Sequence, residues 1–491
     1  MIGTEIYFVN LPGTDDCIIM KPYKYEIFTK SIEEQIRNGL LQPGDRLPSV
    51  REIKERYQLS TSSVQSGFEY LMITGLAESL LRSGYFVPQR KEENIPEART
   101  MLPVVVRDEV FMKNMLLTSR RTSEPASFNT TMPGDLLVPQ KLILRTMQEV
   151  IRKKGAALLR YYPSDGSGAL RKQISKQMRM HGCLLNPDEI IITDGALQAL
   201  TIALRSVTKA GDVVAVDSPC VFSVLEVIAN LGLKVIEIPV HYRTGFDTDY
   251  FRKACSEHNI KALAVTPNFH NPTGILMKDE TKKEIVNIAE THEVCIIEND
   301  MYSDLYFEGK RPSCIKSFDT SGIVMMYSSF SKTLAPGIRL GWLYAGNFYS
   351  KSERARFILG RSVSPVYQEL ILSLLEKNSY ERHLRSFRKK LNHQAVVVLD
   401  CLRKFFPEEA YFHRPQGGYN IWGQLPEKTD MKKFYHYCEN NSIMFTPGNT
   451  FSPTNRYSHH FRVVFAERIT PENLFLLENA GKKVKEFFTH K

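Results

Sequence analysis

The chain has 491 residues, room for about three domains at roughly 100–200 residues each. Hydrophobic residues make up 43% and charged residues 24%, a globular balance that excludes an intrinsically disordered chain, and no run of 18 or more uncharged apolar residues is present to span a membrane. The net charge of +10 lies beyond the first quarter: residues 1–124 carry 16 basic and 17 acidic side chains, the remaining 367 carry 48 and 37, so bulk charge does not mark the N-terminal part as a nucleic-acid binder.

Met1–Met20 has no basic stretch ahead of an apolar one, so it does not read as a secretory signal. The eight cysteines (17, 183, 220, 255, 295, 314, 401 and 438) are scattered without a CxxC pair or a Cys/His cluster. Structural zinc, any other metal site and a disulfide framework are therefore not expected, and a reduced, cytoplasmic protein is.

Ile27, Ile32, Ile36 and Leu40 recur near helical spacing, predicting a helix over Tyr25–Leu40, and Gln42-Pro43-Gly44-Asp45 is turn chemistry. Ser49 followed three residues later by Glu52 is a capping box that opens a short helix to about Tyr57. After a turn at Gln58-Leu59, Ser60 caps a second helix through Leu71, with Val64, Phe68 and Leu71 facing inward. Two short strands, Leu76–Leu81 and Gly84–Val87, follow as a hairpin. Helix, turn, helix and wing would put the N-terminal face of the second helix, namely Ser60, Thr61, Ser62, Ser63 and Gln65, against base edges, with Arg51 placed for phosphate or guanine. The helix pattern alone fits a protein-interaction domain with serine-rich caps equally well.

The run "GDRLPSVRE" within residues 23–88 resembles the GntR-type winged helix. The resemblance implies binding to a double-stranded DNA operator through Arg51, the Ser60–Gln65 face and the wing residues Ser83 and Gly84. Many relatives carry arginine near Thr61 and at Gln65; their absence here implies a weaker or a different base readout.

A DNA-binding domain is thus expected over 21–90 and a linker over 91–127, where periodicity fades and prolines recur, with a local strand or helix within Val104–Leu117. Beyond it, strand-like and helical stretches alternate: Glu189–Thr193, a helix from Gln198, Asp212–Val216, a helix from Phe222, Lys234–Ile238, Ala262–Thr266, a helix from Glu280, Val294–Glu298. This predicts an α/β domain over 128–491 with a mostly parallel central sheet and ligands at the carboxyl ends of its strands.

Those ends hold the unusual residues. Lys332 lies among hydroxyls in "SSFSK", seven residues before Arg339; it could hold an anion, form a Schiff base, or be a surface lysine beside a loop. Asp194-Gly195-Ala196 joins a strand to a helix whose first N–H groups can take a phosphate. "PNFHNPTG" sets Asn271 at another strand end, and "IIENDMYSDLYFEG" ends a buried strand in acidic residues and Tyr302.

In this order the motifs resemble the fold-type I aminotransferases, which use pyridoxal 5′-phosphate, over residues 128–488. The resemblance implies that Lys332 forms the internal aldimine and that Asn271 and Tyr302 bond the ring hydroxyl. Gly195, Ala196, Ser329, Ser331 and Arg339 would hold the phosphate, and Tyr161 would reach the phosphate of a partner subunit in a homodimer. Arg462 would fork onto an effector carboxylate.

Two departures stand out. Active aminotransferases have aspartate three residues before the tyrosine, where this chain has Asn299; either Asn299 or the neighbouring Asp300 faces the ring nitrogen. The ring-stacking aromatic expected after Ser218-Pro219-Cys220 is displaced to Phe222. Both imply that cofactor binding survives and that transaminase activity is at most vestigial. A winged helix joined to such a domain is the arrangement of the MocR subgroup of GntR regulators, which implies a homodimeric transcription factor, with no membrane association, that senses an amine, an amino acid or a B6 vitamer. The alternative is a working aminotransferase with an accessory DNA-binding domain.

Overall fold

The computed structural model describes residues 25–73, 76–80, 84–88, 101–106, 126–242, 244–360, 362–467 and 469–489, and the chain divides into two compact units, 1–92 and 93–491.

In the first unit, helices α1 (Glu26–Arg37), α2 (Val50–Tyr57) and α3 (Thr61–Ile73) pack around Phe28, Ile32, Ile53, Val64, Phe68 and Leu71, all at most 2% exposed. The capping box forms: Ser49 Oγ accepts from Glu52 N at 3.3 Å and the Glu52 carboxylate from Ser49 N at 2.6 Å. Gln58 turns left-handed (φ 52°) to end α2, and Ser60 Oγ accepts from Ser63 N at 3.1 Å to open α3. Gly67 lets α1 and α3 meet, because a Cβ there would lie 2.2 Å from the Phe28 ring. Strands β1 (Glu78–Leu80) and β2 (Gly84–Phe86) pair antiparallel, Glu78 opposite Phe86. The 42–45 turn continues into a third leg of this wing: Leu47 N donates to Tyr85 O and Val87 N to Asp45 O, both at 2.8 Å.

In the second unit the sheet order is β3 (Val104–Val105), β7 (Lys234–His241), β6 (Val213–Ser218), β9 (Ile260–Val265), β10 (Cys295–Asn299), β11 (Val324–Ser329), β12 (Gly341–Tyr344), β5 (Ile190–Thr193), with β8 (Gly245–Phe246) paired to β7. The centre from β7 to β11 is parallel, while β3, β8 and β12 run antiparallel to their neighbours. Helices cover both faces, which is why Ile190, Ile191 and Ile192 can be apolar in succession and fully buried. A 27-residue helix, Ser379–Phe405, leads to a smaller antiparallel sheet ordered β13 (Tyr411–Phe412), β14 (Asn420–Gln424), β17 (His460–Val464), β16 (Thr446–Pro447).

Part of the stretch read as linker belongs to this unit. β3 pairs with Lys234–Val235, and β4 (Ala126–Ser127) pairs parallel with β15 (Ile443–Met444). Residues 91–100 and 107–125 lie outside the described residues, as does the wing residue Ser83. The helix expected from Gln198 starts earlier, at Ala196, directly against Gly195.

Candidate functional site: a lysine pocket at the strand ends

The carboxyl ends of β5, β9, β10 and β11 bring the motif residues together. Lys332 follows β11 by three residues and is half-buried, its Nζ donating to Thr131 O. Burial, with Arg462 and Arg339 adding positive charge, brings its amine down to about 8. The backbone around it is clamped: Tyr419 Oη donates to Lys332 O, Tyr380 Oη meets Thr333 Oγ1 at 2.9 Å, and His383 Nε2 meets Thr333 O at 2.7 Å.

Tyr302 is 1% exposed and its hydroxyl lies 3.3 Å from Asn271 Nδ2. Burial raises its phenol above the ordinary value, with Arg462, Asn271 and Thr131 opposing. Asn271 Oδ1 in turn accepts from Arg462 Nη1 at 2.9 Å. Arg462, 1% exposed on β17, also donates through Nη2 to Asn129 O at 2.7 Å and Thr446 Oγ1 at 3.0 Å. Burial brings its guanidinium down to about 10. Lys332, Thr131, Tyr302, Asn271 and Arg462 therefore form one continuous polar chain.

Beside it lies a cradle. Gly195 (φ 82°) adopts a conformation that favours glycine, and a Cβ there would come 2.8 Å from Arg339 Nη2. It opens the helix Ala196–Val207, which has no side-chain cap. Arg339 Nη2 donates to Asp194 O at 3.0 Å, and Ser329 Oγ lies 3.0 Å from Ser331 Oγ. Uncapped helix N–H groups, two hydroxyls and a guanidinium are a donor set for a phosphate. An amine of depressed basicity within the same cluster matches an aldehyde, so the residues present fit pyridoxal 5′-phosphate.

Asn299 and Asp300 separate, as successive residues of an extended strand do. Asn299 Nδ2 donates to Thr266 Oγ1 at 3.3 Å and its Oδ1 accepts from Met301 N at 3.2 Å. Asp300 does not join the Lys332 cluster: its carboxylate accepts from Ser303 Oγ and Arg311 Nη2, and it lines a cavity of about 40 Å³ with Arg311, Asp304 and Tyr380. Of the two residues expected to compete for the ring nitrogen, Asp300 is thus paired with Ser303 and Arg311. Phe222 turns to the cluster of Trp422, Phe451 and Tyr457, its ring 6.3 Å from Phe451. Tyr161 stands on the surface, 77% exposed, near Leu159 at 89%.

Sequence reasoning missed Asn129, Thr131, Thr446 and Tyr419. Asn129 meets Arg462, and Thr131 meets Lys332, through main-chain carbonyls, which leave no sequence signal. It also missed Asp217, whose Oδ2 accepts from Thr266 N at 2.8 Å and lies 3.2 Å from His270 Nε2; the histidine inside "PNFHNPTG" was the available clue.

On the N-terminal unit, Ser60, Thr61, Ser62 and Gln65 are exposed at the start of α3, and Ser60 Oγ lies 2.9 Å from both Ser62 Oγ and Ser63 Oγ. Arg51 is 87% exposed and 3.0 Å from Glu55. Gly84 takes φ 105° beside the Arg46 guanidinium, a basic group next to the wing that sequence reading did not single out. Among the described residues there is no cluster of three metal-ligating side chains, the seven cysteines are free and buried, and no helix is long and apolar enough to cross a membrane.

Comparison with known proteins finds two family matches: aminotransferase class I and II over residues 131–477, and bacterial regulatory proteins of the gntR family over 24–87. Two Escherichia coli K12 proteins, named as the uncharacterized HTH-type transcriptional regulators YjiR and YdcR, are each 31% identical and align over 94% of this chain and 98% and 99% of their own lengths. Among solved structures, the Pyrococcus horikoshii kynurenine aminotransferase superposes with a TM-score of 0.73 at 25% identity, covering 78% of this chain and 96% of that one.

Proposed function

The chain belongs to the aminotransferase class I and II family and to the MocR-type HTH transcriptional regulators, which carry a GntR-family DNA-binding domain ahead of it, and from that premise we propose that it holds pyridoxal 5′-phosphate on Lys332 and adjusts its grip on an operator when an amine, amino acid or B6 vitamer enters there. The carrying observation is the hydrogen-bonded chain from Lys332 through Thr131, Tyr302 and Asn271 to Arg462 beside the Gly195–Arg339 cradle.

When bound, the cofactor supplies an aldehyde that amines engage reversibly and covalently. The protein's part is positional. Gly195, Ala196, Ser329, Ser331 and Arg339 would take the phosphate, and Asn271 with Tyr302 the ring hydroxyl. The depressed basicity of Lys332 supplies free amine near neutral pH, and Arg462 would receive an effector carboxylate. Asn299, both ends of its amide already bonded, offers a neutral group where active aminotransferases carry a carboxylate, which favours a receptor over a fast catalyst. The reading extends to a cytoplasmic homodimer in which the exposed Tyr161 reaches the second subunit's cofactor phosphate, two winged helices meeting two half-sites. The domains would run 21–90 and 128–491.

The test is borohydride reduction and peptide mapping of cofactor-saturated protein, then operator titration with a panel of amines in wild type and Lys332→Ala. Label on Lys332 and an amine-dependent operator affinity that the variant loses are expected. An unlabelled Lys332 overturns the reading. Sustained keto-acid formation at rates ordinary for enzymes, about 1–1000 per second, would make the protein an aminotransferase instead.

A further inference from the structure

Arg462 is a buried cation whose acceptors are all neutral: the Asn271 amide, the Thr446 hydroxyl and the Asn129 carbonyl. Its Nε has no partner among the described residues. The Nε–Nη2 edge is the one a carboxylate approaches side-on with two parallel hydrogen bonds, and such charge-assisted pairs are roughly twice as strong as neutral ones. Here that edge has one empty place, and its other nitrogen is shared between Thr446 and Asn129. For a carboxylate to seat, one of those two acceptors must leave.

They are not equally fixed. Thr446 lies in β16, directly opposite Arg462 in the ladder. Asn129 lies on a strap that crosses between the sheets. Phe128 N donates to Met444 O at 2.9 Å and Gly134 N to Ala466 O at 2.8 Å, which pins the strap's two ends to the smaller sheet's side. Between these pins, Thr131 O takes the Lys332 ammonium and Asn129 O takes Arg462, with Thr446 Oγ1 also donating to Asn129 O at 3.2 Å. The same short stretch of main chain thus occupies both groups that an amino-acid effector would need.

We propose that Asn129–Thr131 is a main-chain placeholder in the effector seat: an effector carboxylate docks on the Nε–Nη2 edge of Arg462 by displacing the Asn129 carbonyl, and the strap then releases Arg462 and Lys332 together. This rests on the reading of Arg462 as the carboxylate seat. It makes strap release the event that separates ligands with a carboxylate from those without, since only the former have a group to put in place of Asn129 O.

The test uses the full chain and two probes that differ in that group. These are N-(5′-phosphopyridoxyl)-L-alanine, which carries a carboxylate, and pyridoxamine 5′-phosphate, which does not. Hydrogen exchange over residues 126–134 is expected to quicken at least about tenfold with the first relative to the second. In Thr446→Val, which removes two hydrogen bonds from the latched state and one from the ligated state, the alanine adduct should bind about 3- to 10-fold tighter, with pyridoxamine phosphate unchanged. Equal or slower exchange with the adduct, or an equal shift of both probes in the variant, overturns the placeholder while leaving the cofactor site standing. Failure of both probes to bind removes the effector reading itself, and the placeholder with it.

Discussion

At the start of α3, Ser60, Thr61, Ser62 and Gln65 face solvent, and the serine hydroxyls bond mainly to one another. Around Lys332 the reverse holds: Tyr302 and Arg462 are 1% exposed, Asn271 is 4% exposed, and each is committed to named partners. The contrast shows two ways of holding a functional group in readiness. An exposed donor keeps its ordinary chemistry and waits for a partner that brings its own acceptors. A buried one is tuned by what surrounds it, so its chemistry is already altered before any ligand arrives, and losing a neighbour changes it.

The largest expected effect that would break this contrast concerns pH. With its amine brought down to about 8 by burial and by Arg462 and Arg339, Lys332 is mostly ammonium below that value and mostly free amine above it. Only the free amine attacks an aldehyde, so capture of pyridoxal 5′-phosphate should rise roughly 50-fold from pH 6 to pH 8 and level off above about pH 9. Stopped-flow absorbance checks this. A rate still climbing toward pH 10.5 would mean that Lys332 behaves as an exposed lysine and that the pocket does not tune it.

A smaller effect sharpens the exposed side. Arg51→Ala should weaken operator binding by about 1–2 kcal/mol, roughly 5- to 30-fold. Its ion pair with Glu55 is open to solvent and adds little, so melting should not move. A uniform loss across sequences with a salt slope reduced by about one marks a phosphate contact, and relaxed specificity marks a base contact. Unchanged affinity in a binding titration would remove Arg51 from the interface.

What could be read in advance follows the same division. Ser49 and Glu52 were legible because both halves of the capping box lie three residues apart and act locally. Lys332, Asn271 and Gly195 were legible because each sits in a short motif at a strand end. Tyr419 was not: it reaches Lys332 O across 87 residues of sequence, which only the smaller sheet's placement brings about. Asn129 and Thr131 act through carbonyls that any residue possesses. Asn299 and Asp300 could not be told apart until strand alternation and Arg311 separated them. β3 could be anticipated only as a local strand or helix in Val104–Leu117, because two valines in a charge-rich stretch carry too short a pattern to choose between them, and their pairing with Lys234–Val235 is supplied entirely by the sheet.

The smallest expected effect probes whether the exposed face depends on its scaffold as the buried one does. Ser49→Ala removes the hydroxyl that accepts from Glu52 N but leaves the Ser49 N–H that donates to the Glu52 carboxylate, so only half of the capping box is lost. The cost is about 1 kcal/mol, which in a unit of this size lowers its melting by about 4–8 °C. Arg51 sits in the first turn that this cap holds, yet its side chain is solvent-exposed and draws no tuning from the cap. Operator affinity measured well below the transition should therefore stay within about threefold of wild type while the melting shifts. If affinity fell by the fivefold or more expected of Arg51→Ala, the exposed face would be as dependent on its hydrogen-bonded surroundings as the lysine pocket, and the distinction between the two regions would fail.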